Sequence, residues 1–202
     1  MLSNLQYLRA FAAINVVYLH VLIGGNSYDR SSTMFPILGE WGANGVDIFF
    51  VISGFVMIYS QINNPKTIVN FYKSRLLRIV PIYWLITFTI IILFTIFPDI
   101  FRTFETDFKK SISSFLFTSQ LVTNEFPIIN VGWTLEWEML FYLIFGISIY
   151  FRKLEKIVLF IFFSMIIIFL ISKNLFFLEF FVGVIIGYIY FKFKINHFIA
   201  LI

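Results

Sequence analysis

The sequence predicts an all-α, polytopic membrane protein, and three observations carry that expectation. Of its 202 residues 60% are hydrophobic and 21% aromatic, while only 13% are charged, about half the charged fraction of an ordinary soluble domain. Six apolar stretches are long enough as helices to cross a hydrocarbon core of roughly 30 Å: residues 5–24, 44–60, 79–98, 131–150, 156–172 and 175–191. The basic residues, which give a net charge of +4, sit in short segments between these stretches, the pattern of positive-inside topology rather than of a nucleic-acid surface. The chain has no cysteine, which excludes disulfides and thiolate chemistry.

The first stretch is too long for the apolar core of a secretory signal and contains Arg9, so it reads as a retained helix. A further segment, 112–122, is short and includes Ser113, Ser114, Thr118, Ser119 and Gln120, which suits a re-entrant or interfacial element. Charge supports leaving it out of the count. With six spans and a cytoplasmic N-terminus, Lys66, Lys73 and Arg75, then Arg152, Lys153 and Lys156, then Lys192 and Lys194 all fall inside, whereas a seventh span would expel the basic 151–156 segment. Arg30, Arg102, Lys109, Lys110 and Lys173 would lie outside, most of them offset by nearby acids. Trp41, Tyr59, Tyr72, Trp84, Trp133, Tyr150 and Tyr190 fall near expected helix ends, as interfacial aromatic belts do. Residues 197–202 read as the opening of another apolar segment. The expectation is therefore a single, incomplete domain over 1–202, truncated at its C-terminus.

Within this frame a few polar residues need a reason, because an ionised side chain near mid-bilayer costs at least about 2.5 kcal/mol on insertion scales. Arg9 and His20 lie eleven positions apart, within about 20° of three full turns, so they share a face roughly 16 Å apart along the axis. Asp47 lies at about the depth of His20 and is a candidate to orient the imidazole. A helix N-terminal acid favoured by the dipole is the plainer alternative. Arg75 and Arg78, three apart and ahead of a span in which Pro81 suits the first turn, could bind phosphate groups or anchor to lipid headgroups. In 131–150, Glu138 shares a face with Thr134 and Tyr142; Glu136 points about 200° away and lies nearer the outer surface. Only Glu138 is expected to be deep enough to be costly. A histidine and a carboxylate at one depth, with arginines at the opposite end, suggest an acid/base site above an anion site. A structural ion pair between helices would use the same residues. The remaining histidine, His197, is expected at the cytoplasmic end, so no metal site is expected.

The ordered set LRAFAAINVVYLH, GVDIFFVISGF, RLLR before IVPIYW, GWTLEWEMLFY and LEFFVGVIIGY resembles the acyltransferase 3 family of membrane acyltransferases. Its nearest-looking branch is the exopolysaccharide O-acetyltransferases of the succinoglycan type. The resemblance implies transfer of an acetyl group from cytoplasmic acetyl-CoA to a hydroxyl of a glycan or lipid-linked saccharide, in the bacterial inner membrane. His20 and Glu138 fall on the family's functional histidine and glutamate, and Arg9, Arg75 and Arg78 on its functional arginines. The expectation built on this has Asp47 joining His20 and Glu138 in catalysis, and Lys73 joining the arginines in binding the donor. Glu136 stands where related helices usually carry an uncharged residue. The family's roughly ten spans would need well over 300 residues. Two other readings use the same features: a non-catalytic truncated fragment or assembly subunit, and a small proton-coupled transporter relaying through His20, Asp47 and Glu138.

Overall fold

A computed structural model describes residues 3–27, 36–98 and 107–193, with the side chains of 23–27 and 36–41 left undescribed. Arg30, Arg102, Lys194, His197, the Trp41 side chain and the segment 197–202 lie outside the described residues. All regular structure among the described residues is helical: α1 (Ser3–Ser27), α2 (Pro36–Asn63), α3 (Ile68–Ile96), α4 (Phe108–Phe115), α5 (Ser119–Val122), α6 (Trp133–Ser148), α7 (Leu154–Ser172) and α8 (Phe176–Lys192). Five segments are long and apolar enough to cross a membrane: Ser3–Leu22, Gly42–Asn63, Ile68–Ile96, Asn130–Phe151 and Leu154–Ser172. The sixth expected span is α8, whose 17 residues rise about 25 Å. Ile14 and Val21 on α1, Leu85 and Phe88 on α3, and Leu170 and Ile171 on α7 are each more than half exposed. Water would not tolerate apolar surface on this scale, and lipid covers it without cost. The chain is a polytopic membrane protein.

The described helices group into two compact units. In the first, α2 carries α1 on one side and α8 on another. A Cβ added at Gly45 would lie 2.6 Å from the Ala12 carbonyl oxygen, and one at Gly42 2.6 Å from the Leu19 Cβ, so α1 and α2 run antiparallel at close range. Against α8 the approach is closer still. A Cβ at Gly54 would overlap the carbonyl oxygen of Phe180, and one at Gly183 the carbonyl oxygen of Val51. Phe50 stacks on Phe180 at 4.4 Å, Gly187 meets Ile58, and Tyr59 meets Phe191 at 5.7 Å. Both sequences advance together along this seam, so α2 and α8 are parallel. An odd number of crossings must separate two spans that run the same way. The spans α3, α6 and α7 supply three, and the parity fails if 112–122 also crosses.

The second unit contains α3, α4, α5, α6 and most of α7. Here α3 begins eleven residues before the expected span. The Thr67 hydroxyl accepts a bond from the Asn70 amide at 3.3 Å and caps the helix at that point. Pro81 is consequently interior to α3, not in its first turn, and removes the amide that would otherwise pair with the Leu77 carbonyl. The segment 112–122 is broken, as its serines and short length suggested. Helix α4 stops at Phe115, Phe117 takes a left-handed φ of 58°, and α5 restarts at Ser119 for a single turn.

Candidate active site

His20 sits on the first unit, exposed on α1 one turn beyond Val16, and its Nδ1 lies 2.8 Å from the Val16 carbonyl oxygen. A carbonyl can only accept, so Nδ1 carries the hydrogen, and in the neutral imidazole it is Nε2 that has the lone pair. Arg9 is half-buried on the same helix. The backbone thus fills the orienting role expected of Asp47. Asp47, half-buried on α2, lies near Glu179 on α8, close enough for the two carboxyl groups to influence each other. Sequence reasoning passed over Glu179, although the available signal was the one used for Glu138: a carboxyl inside an apolar helix. Its Oε2 is buried with no hydrogen-bond partner.

In the second unit α3 and α6 run antiparallel. The Tyr72 hydroxyl donates to the Leu143 carbonyl at 2.7 Å, and the Tyr72 ring fills the notch where Gly146 lacks a Cβ. Farther along, Tyr83 occupies the corresponding space at Gly132, where an added Cβ would meet its ring at 2.8 Å. Between these two contacts lies a cluster that the sequence placed at opposite ends of the membrane. The Tyr142 hydroxyl donates to Glu138, and the Arg75 guanidinium carbon lies 5.5 Å from the centre of the Tyr142 ring and 5.7 Å from that of Phe71. Arg75 therefore shares a partner with Glu138. Tyr142 lies about 13 Å along the helix from the Phe151 end of the candidate spanning segment Asn130–Phe151. Arg78 and Lys73 are exposed, so spacing alone made Arg75 and Arg78 look more alike than they are. The Arg75 Nε is buried without a hydrogen-bond partner.

The expectation that only Glu138 is costly to bury is overturned by Glu136. Only 3% of Glu136 is exposed, and its two carboxylate oxygens accept from the amides of Ser119 at 3.1 Å and Gln120 at 2.8 Å. A helical wheel fixes the direction of Glu136 but not what packs there. What packs there is the restart of the broken 108–122 element, whose first amides lack helical acceptors. Nearby serines complete the fold of this element: the Ser114 hydroxyl accepts from the Ile128 amide at 2.9 Å, and Ser119 bonds Ser113 at 3.3 Å. Glu136 thus serves the scaffold, two residues from a carboxylate with a different environment.

The first unit of this helical membrane protein presents an imidazole, and its second unit holds a carboxylate and a guanidinium against one tyrosine; such groups serve acid/base chemistry and anion binding. Comparison with known proteins gives the class a family. The model of the acyltransferase domain of the acyltransferase 3 family matches residues 2–202, and the chain belongs to that family. It is similar to the exopolysaccharide production protein ExoZ of Rhizobium meliloti (strain 1021), with 39% identity over 114 residues. That alignment covers 54% of this chain and 35% of ExoZ, so the chain matches about a third of its relative's length. No solved structure matches the chain.

Proposed function

We propose that the chain is a membrane-bound O-acetyltransferase, moving an acetyl group from cytoplasmic acetyl-CoA to a hydroxyl of a cell-surface or exopolysaccharide sugar. The observation that carries the reading is the His20 imidazole, tied through Nδ1–H to its own helix and presenting Nε2 on an exposed flank. A sugar hydroxyl is a poor nucleophile until a positioned base takes its proton. His20 Nε2 takes that proton as the sugar oxygen attacks the thioester carbonyl. The new C–O bond forms, the C–S bond breaks, and the imidazolium returns the proton to the departing thiolate. Glu138 and Asp47 are the further ionisable groups of the catalytic set. Arg9, Arg75, Arg78 and Lys73 take the anionic groups of the donor.

Support comes from family membership and from the similarity to a protein named for exopolysaccharide production. The acceptor is then a glycan or lipid-linked saccharide, reached from a bacterial inner membrane with the N-terminus of the chain in the cytoplasm. The test is incubation of membranes bearing the chain with acetyl-CoA labelled in the acetyl group and with glycan. Label in the glycan is expected. A well-inserted protein that leaves the glycan unlabelled while conducting protons would support the transporter reading, for which the Asp47–Glu179 pair is the relevant observation.

A further inference from the structure

Tyr142 lies at the junction of the two charged groups in the second unit. It is buried, with 6% of its surface exposed, and presents a different part of itself to each group. Its hydroxyl reaches Glu138 one turn back on α6, while its ring faces the Arg75 guanidinium across the α3/α6 seam. Phe71 supplies the second ring, standing perpendicular to Tyr142 with centroids 6.2 Å apart. Ring faces satisfy the positive charge of a guanidinium but not its directional donors. The Arg75 Nε–H is accordingly buried and unsatisfied, a condition rare enough in folded proteins to require a cause. A buried donor left open on a cation held by two rings suits an oxygen that brings negative charge with it.

We propose that Tyr142 is a positioning residue with two separable roles. Its hydroxyl fixes Glu138, and its ring fixes Arg75 so that the Nε–H meets a negatively charged oxygen of the acyl donor inside the membrane. The proposal rests on the acyltransferase reading. It separates Arg75 from Arg78 and Lys73, whose exposed side chains suit contact with the donor's outer phosphates. Tyr142 itself touches neither donor nor acceptor.

The test uses the full chain in lipid nanodiscs, with coenzyme A binding at equilibrium and labelled acetyl transfer as separate readouts. Tyr142→Phe keeps the ring and loses the hydroxyl: coenzyme A binding should stay within about twofold of wild type while kcat falls roughly tenfold or more. Tyr142→Leu loses both, and coenzyme A should also bind about tenfold more weakly. Arg75→Lys keeps the charge but removes the Nε donor and the planar fork, so it should match Tyr142→Leu in binding. A purely structural Tyr142 would move both readouts together in all three variants and overturn the proposal. So would a Tyr142→Phe that transfers at the wild-type rate, or a Tyr142→Leu that binds coenzyme A like wild type. Wild type that binds coenzyme A yet transfers nothing would sink the acyltransferase reading, and with it the role of the hydroxyl. The ring's role would then stand or fall on the binding series alone.

Discussion

The α2/α8 pair of the first unit and the α3/α6 pair of the second both rely on glycine, but they use it in opposite ways. At Gly54 and Gly183 the missing side chain admits the partner's backbone. At Gly132 and Gly146 it admits the ring of a tyrosine that belongs to the other helix. Lipid tails are as apolar as leucine, so burial of apolar surface gives spanning helices no reason to associate, and close packing and hydrogen bonds must do it. Backbone-to-backbone contact fixes two helices with no freedom to adjust. Ring-in-notch contact leaves space along the seam, and in the second unit that space holds Tyr142, Arg75 and Glu138.

The comparison can be broken at its strictest point. Gly54→Ala should destabilise the protein by about 3 kcal/mol, because the added Cβ meets backbone atoms of Phe180 and Val184 that cannot rotate away. Gly146→Ala should cost clearly less, since its obstacle is the end of a tyrosine ring. Unfolding in detergent at graded denaturant checks the order, and equal costs would erase the distinction. Glu136→Gln should cost about 2 kcal/mol, because the amide turns a donor towards one of the two backbone amides at the start of α5. Hydrogen exchange should quicken at Ser119 and Gln120 in α5 before it does in α6. Tyr72→Phe keeps the ring in the Gly146 notch and loses only the bond to Leu143, so about 1 kcal/mol is expected.

The sequence made the helices and their parity legible, because length, apolarity and loop charge are one-dimensional signals. The non-spanning nature of 112–122 was legible for the same reason: five hydroxyl or amide side chains in so short a run cannot face lipid. What could not be read was where polar groups find their partners. Glu136 looked peripheral by its angle on a wheel, yet the break at Phe117 brings two free amides to it. Arg75 looked like an end-of-helix cation because Pro81 suggested a helix start. The cap at Thr67 moves that start outward, leaving Arg75 beside Tyr142. Glu179 sits on a helix whose packing partner lies more than a hundred residues earlier, and nothing local pointed to Asp47. In each case the missing information was a contact between separate helices.

Acetyl transfer by this chain depends most directly on His20. Acetyl transfer from labelled acetyl-CoA to glycan, measured in membranes with wild type and His20→Ala inserted at equal levels, tests it with one readout. Label transferred by the wild type and reduced by about a hundredfold or more in the variant is the expected result. Transfer by His20→Ala at a rate close to that of the wild type would contradict the assignment of the base.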